Sequence, residues 1–128
     1  MRKLVSSGSY LEPQIGFSRA VRVGNVVSVS GTAPIAEGGG TDGVGSVYTQ
    51  TKRCLAIIKA ALAEADVPLS AVIRTRVMLT DVTTWQEAAR AHGEVFANIR
   101  PACTFVEVSR FIDPDWLVEL EADAVLAE

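Results

Sequence analysis

The chain has 128 residues, of which 48% are apolar and 21% are charged, and its formal net charge at pH 7 is -3. This length predicts one compact domain over residues 1–128, and the apolar fraction excludes a disordered chain. Scattered basic residues in an acidic chain argue against a nucleic-acid partner, and no apolar run approaches the roughly 20 residues of a membrane span, so we expect a cytoplasmic protein that binds no membrane.

The first predicted elements are two short strands, at residues 18–23 and 26–30. They are joined by Gly24-Asn25, residues that tolerate the positive φ of tight hairpin turns. The glycine-rich segment 31–45 follows as a flexible surface loop. From residue 46 to residue 65, apolar side chains recur at intervals of three and four, which predicts a helix with one buried face. That face consists of Val47, Cys54, Leu55, Ile58, Ala61, Leu62 and Ala65.

The second half of the chain begins with a predicted strand at residues 72–79. Its alternation places Arg74 and Arg76 on one side. Thr84 and Glu87 have the spacing of a capping box, which predicts a second helix over about residues 83–97.

Two further strands, at residues 104–108 and 117–126, flank the turn sequence Asp113-Pro114-Asp115. In the last strand Glu119, Glu121 and Asp123 alternate with apolar residues, so one face of that strand is acidic and the other apolar. The element order ββαβαββ predicts an α+β fold, a mixed sheet with two helices on one face. The bare sheet face is a natural surface for oligomer formation.

The segment at residues 100–124, RPACTFVEVSRFIDPDWLVELEADA, resembles the C-terminal signature of the Rid family, also called YjgF or RidA-like proteins. The segments FSRAVRVGNVVSVSGTAP and TRVMLTDV extend the resemblance over nearly the whole chain. It implies a chorismate-mutase-like fold and a homotrimer whose sheets line a central barrel. It also implies three small-molecule clefts between subunits and enamine or imine deaminase activity, with no cofactor.

The resemblance also assigns candidate site residues. Family members with understood deaminase activity have arginine, which binds the substrate carboxylate, where this chain has Cys103. By position, Cys103, Thr104, Arg100 and Phe17 are implied to contact the substrate, and Glu119 is implied to be catalytic. Phe17 replaces a tyrosine of many relatives, so it stacks without donating a hydrogen bond.

The missing arginine predicts weak binding of amino-acid-derived imines, because a lost bidentate contact to a carboxylate removes roughly 2 to 5 kcal/mol. Cys103 is either a buried inert thiol or a nucleophile, and the second role needs a neighbouring cation or helix N-terminus. Arg74 or Arg76 of a neighbouring subunit is an alternative anchor, and interface ion pairs with Glu119 or Glu121 explain these two arginines equally well. Arg110 is a poor substitute, because an odd offset from Cys103 turns it to the opposite face.

Each of the other candidate residues has a structural alternative. Glu119 either activates water or pairs with arginine across a subunit interface, and Phe17 either closes the cleft or anchors the core. His92, the one histidine, is interpreted as a packed helix residue. With a single histidine and no CxxC spacing, we expect no metal site.

Two functions remain open, and a third has little support. The chain is either a hydrolase of a small enamine, imine or related compound, or a trimer that binds or senses a small ligand without catalysis. The name ribonuclease or translation inhibitor is attached to some relatives. It finds no support in an acidic chain without a histidine-lysine cluster.

Overall fold

The structure, a computed structural model, describes residues 2–127. The strands are β1 (Arg2–Val5), β2 (Ala20–Val23), β3 (Val26–Thr32), β4 (Val72–Leu79), β5 (Ala102–Glu107) and β6 (Val118–Val125). The α-helices are α1 (Leu11–Ile15), α2 (Val47–Glu64) and α3 (Trp85–Phe96). None of the helices within residues 2–127 is long and apolar enough to cross a membrane.

All six strands form one sheet in the order β1-β2-β3-β6-β4-β5. The β4–β5 pair is parallel and the other pairs are antiparallel. Helix α2 packs on β3 and β6, and α3 packs beside α2. The predicted α+β fold, with both long helices on one face of a mixed sheet, is confirmed.

The predicted order ββαβαββ lacked two elements, β1 and α1. Strand β1 pairs with β2 at the sheet edge, and three of its four residues are not buried, so its sequence carries no apolar alternation. Helix α1 has five residues and ends at Ile15, and its C-cap Gly16 has a φ of 88°. A single turn of helix is too short to display a helical period in the sequence.

The long helix α2 follows the predicted pattern. Ser46 is its N-cap, and the Ser46 hydroxyl accepts a hydrogen bond from the Thr49 amide at 3.1 Å. All of the residues predicted for its buried face, together with Ala65 after its end, are buried.

The capping box predicted at Thr84 and Glu87 is wrong. The Thr84 hydroxyl donates to the carbonyl of Asp81 at 2.7 Å, so it does not cap α3. The Asp81 carboxylate instead accepts from the Thr83 amide at 3.0 Å and begins a 3-10 turn, Val82–Thr84, that leads into the helix. Asp81, three residues before Thr84, therefore supplies the cap, because its carboxylate lies at the free amides with which that turn begins.

The sheet face without helices carries the predicted acidic stripe of β6. Glu121 lies opposite Arg76 of β4 and forms an ion pair with it, and Asp123 lies opposite Arg74. At one end of this open face the stripe gives way to exposed apolar side chains. They are Leu4, Val23, Val26 and Val125, each at least 40% exposed.

Gln50 connects α2 to two loops. Its side chain donates to the carbonyls of Gly43 and Asp115 at 3.2 and 2.9 Å, and it accepts from the Leu117 amide at 2.8 Å. We expect Gln50→Leu to cost about 2 to 4 kcal/mol of unfolding free energy, because three backbone groups lose their partners. Urea unfolding measures this cost. Gln86→Leu on the exposed side of α3 is the matched control, and equal losses in the two variants would contradict the account.

Candidate functional site

Glu119 stands over a glycine at the point where β3 is irregular. Strand β3 shifts register against β6 between Val29 and Thr32, and Gly31 lies in that shift. A Cβ atom at Gly31 would be 3.1 Å from Glu119 Oε1. A larger residue at position 31 would therefore displace the carboxylate, and glycine leaves the space in which it sits.

Arg19 joins its own segment to two others near this carboxylate. Its side chain is 3% exposed. Nη1 donates to the Gly31 carbonyl at 2.6 Å and to Thr32 Oγ1 at 3.2 Å, and Nε donates to Ser7 Oγ at 3.1 Å. The guanidinium carbon lies 5.2 Å from the centroid of the Phe17 ring. Arg19 thus contacts both Gly31 and Phe17, and its positive charge acts on the nearby carboxylate of Glu119.

The two carboxylates near Arg19 differ in their environments. Burial raises the pKa of Glu119, and the nearby positive charge of Arg19 only partly opposes this. For Glu12 burial also acts to raise the pKa, but the hydrogen bonds that its carboxylate accepts lower it overall. They come from the Ser7 amide at 3.1 Å, the Ser7 hydroxyl at 2.9 Å and the Ser9 amide at 3.3 Å. Glu12 is therefore the fixed counter-charge, and Glu119 is the carboxylate suited to exchange protons.

Cys103 and Thr104 lie on the edge strand β5, and both are exposed. Cys103 is opposite Thr75, whose hydroxyl meets His92 of α3, so Cys103 points to the helix side of the sheet. Glu119 points to the open side. Strand β4 separates the two strands, which places their backbones about 10 Å apart. One chain alone does not bring Cys103 to Glu119.

Arg100 lies on the helix side, in the turn before β5. Its backbone φ is 57°, a value that residues other than glycine rarely adopt. It lines a shallow pocket of about 330 Å³ together with His92, Phe96 and Pro101. Thr75 Oγ1 and His92 Nε2 are 2.8 Å apart, and burial lowers the pKa of His92. These contacts fit the interpretation of His92 as a packed helix residue.

The second cysteine, Cys54, is enclosed beneath the sheet. Burial raises the pKa of its thiol, and its Sγ faces the Val118 carbonyl at 3.9 Å. It is therefore a neutral core residue. Among residues 2–127, no group of three histidine, cysteine or acidic side chains is arranged to hold a metal ion.

Arg19 is the residue that sequence reasoning missed. It stands two positions after Phe17, so an extended chain turns both side chains to the same side, and this spacing was the available signal. Its burial could not be read from the sequence, because its partners Ser7, Gly31 and Thr32 are each about 12 positions away.

Comparisons with known proteins agree with the fold. The family model described as Endoribonuclease L-PSP matches residues 8–126. The RutC family protein PYRAB12510 of Pyrococcus abyssi is 38% identical over 84% of each chain. The 3-aminoacrylate deaminase RutC of Acinetobacter baylyi is 30% identical over 88% of each chain. Rv2704 from Mycobacterium tuberculosis, a member of the YjgF/YER057c/UK114 family with a solved crystal structure, is 40% identical in sequence to this chain. It superimposes with a TM-score of 0.89, over 98% of this chain and 100% of that one.

Proposed function

We propose that this chain, which belongs to the Rid (YjgF/RutC) family, hydrolyses small enamines or imines in clefts between the subunits of a homotrimer. Glu119 moves the protons, and Phe17 closes the cleft. The observation that carries the proposal is the half-buried carboxylate of Glu119, which has a raised pKa and lies beside Gly31, the residue whose carbonyl accepts a hydrogen bond from Arg19. A carboxylate with a raised pKa is a stronger base toward water than an ordinary one.

The homotrimer rests on two features of the sheet. The open face has exposed valines and a leucine at one end, which a partner subunit would cover. Cys103 and Glu119 are on opposite sides of the sheet in one chain, so a cleft that holds both needs two subunits. In that cleft Cys103 and Arg100 come from one subunit, and Phe17 and Glu119 come from the other. Thr104 points to the opposite face of β5 from Cys103 and lies outside the cleft.

The substrate class follows from position 103. A cysteine side chain gives a substrate carboxylate no bidentate partner, so the preferred substrate lacks a carboxylate at that point. The 3-aminoacrylate deaminase RutC supports the reaction class. It does not supply the substrate, because the anchoring position differs from that of classical deaminases.

The test compares two substrates that are generated in the assay. One is 2-aminoacrylate, released from serine by a dehydratase, and the other is an imine without a carboxylate, released from a primary amine by an amine oxidase. We expect the chain to accelerate hydrolysis of the second imine over a buffer blank, with a higher kcat/KM than for 2-aminoacrylate. Faster turnover of 2-aminoacrylate would contradict the assignment of the substrate class.

A second candidate is a trimer that binds a small ligand without catalysis. The loss of polar groups at Cys103 and Phe17 favours it, because both changes leave the cleft with fewer contacts to a reacting molecule. Saturable binding of a small ligand at Gly31 and Glu119, without acceleration of either imine, would establish this candidate in place of the first.

A ribonuclease activity is not proposed, although the family model carries that description. The chain has a net charge of -3 and a single histidine. That histidine is on the helix side of the sheet, bonded to Thr75.

A further inference from the structure

The helix side of the sheet contains a groove that the proposed reaction does not use. Its volume is about 660 Å³, within the range of small-molecule pockets. One wall is the outer side of α2, and the other consists of Val5 at the end of β1 and residues of the loops at positions 6–10 and 33–39. We propose that this groove is a second small-molecule site, which binds an organic monoanion with a short aliphatic part.

The first cation of the groove is the free edge of Arg19. Nε and Nη1 are taken by Ser7, Gly31 and Thr32. Nη2 has no hydrogen-bond partner among residues 2–127, and no fully buried side-chain polar atom in that range lacks a partner. Nη2 is therefore in contact with solvent, and the groove is the cavity that Arg19 lines. Burial lowers the pKa of Arg19, but the carboxylates of Glu12 and Glu119 oppose this, and an arginine stays protonated at neutral pH.

The second cation is Arg53, on the groove side of α2. Its Nε donates to the Ile35 carbonyl at 2.7 Å, which fixes the direction of the side chain. No carboxylate within residues 2–127 forms an ion pair with it. Its Nη1 and Nη2 atoms therefore remain available. Two arginines that are held by carbonyl oxygens and keep free donors are suited to bind a carboxylate, because the planar guanidinium matches its two oxygens.

The remaining lining restricts the ligand further. The wall from α2 is apolar, with Ala56, Ile57 and Ala60, and it offers contact to a short aliphatic chain. Glu37 and Glu64 also line the groove. Their negative charges disfavour a ligand with several charges, such as a nucleoside triphosphate, and leave a monoanion as the best match.

The test uses isobutyrate as the probe and its neutral isostere isobutyramide as the control. Two-dimensional amide NMR of the full chain follows Ser7, Gly38 and Gly39, which line the groove. We expect isobutyrate to give saturable shifts at these amides with a Kd of about 1 mM, as for a fragment of six heavy atoms. Isobutyramide and inorganic phosphate are expected to bind at least about tenfold more weakly.

Matched variants separate charge from shape. Ala60 is exposed on α2, so Ala60→Glu and Ala60→Gln place side chains of equal size in the groove without disturbing a hydrogen bond. Ala60→Glu is expected to weaken isobutyrate binding about tenfold more than Ala60→Gln, because it adds a negative charge. Arg53→Gln should also weaken binding about tenfold, whereas Lys59→Gln, which removes a charge from α2 outside the groove, should not.

Several outcomes would overturn the proposal. They are equal binding of isobutyrate and isobutyramide, tighter binding of phosphate, equal effects of the two Ala60 variants, or no shifts at the groove amides. Shifts confined to Phe17, Gly31 and Glu119 would also overturn it, since they would assign the anion to the proposed catalytic cleft. None of these readouts depends on hydrolysis, so failure of the proposed reaction leaves the result interpretable.

Discussion

Replacing Cys103 with arginine is expected to raise kcat/KM for 2-aminoacrylate by a factor of about thirty to several thousand. The range corresponds to the roughly 2 to 5 kcal/mol that a bidentate contact with a carboxylate contributes when the pair is removed from water. Cys103 is exposed on an edge strand, so the longer side chain enters the cleft without overpacking a core. The measurement is ammonia release from 2-aminoacrylate formed in the assay, compared with a buffer blank.

The control for this variant is Thr104→Arg. It adds the same guanidinium one residue further along the exposed strand, where the side chain points to the open face beside Arg76. We expect no gain from it, because the new cation is on the wrong side of the sheet. An equal gain in both variants would indicate general electrostatic attraction of the anion. No gain in either would mean that the cleft lacks the rest of the deaminase machinery.

The fold could be predicted from the sequence wherever the spacing of apolar residues repeated over enough positions to be recognised. The alternation of VELEADAV placed Glu119, Glu121 and Asp123 on one face of β6, and the structure confirms that face. Helix α2 was equally clear because its apolar positions repeat over 18 residues. Strand β1 has four residues and helix α1 has five, and these lengths are too short for an apolar pattern to repeat recognisably in the sequence.

The candidate site was less predictable, because it depends on contacts between distant segments. Alternation shows that a residue changes side with each step, but it does not show which strands are neighbours. The order β6-β4-β5 separates Cys103 from Glu119, and the register against Thr75 turns Cys103 to the helix side. The burial of Arg19 likewise results from three carbonyl and hydroxyl partners that converge only in the folded chain.

Glu119→Gln is expected to reduce kcat for whichever imine the chain hydrolyses by about 10²- to 10⁴-fold, the usual contribution of a positioned acid or base. Glutamine keeps the shape beside Gly31 but cannot accept a proton from water. In the natural chain the rate should rise with pH through the pKa of Glu119, which burial holds above 4.5. Glu121→Gln is the matched control. It lies on the same strand and face, but its carboxylate pairs with Arg76, so we expect little change in rate.

The Glu119→Gln variant should be no less stable than the natural chain at pH 7. A carboxylic acid whose pKa is raised by folding binds its proton more tightly in the folded state, so its contribution is complete below the unfolded pKa and is lost as pH rises through the folded one. Glutamine does not ionise, so the variant does not lose this stability as the pH rises. The Tm of Glu119→Gln should therefore match that of the natural chain near pH 4 and exceed it by a few degrees at pH 7. A variant that loses activity while its Tm rises assigns the loss to chemistry, whereas a fall in Tm at pH 7 would indicate that Glu119 is a structural partner of Arg19.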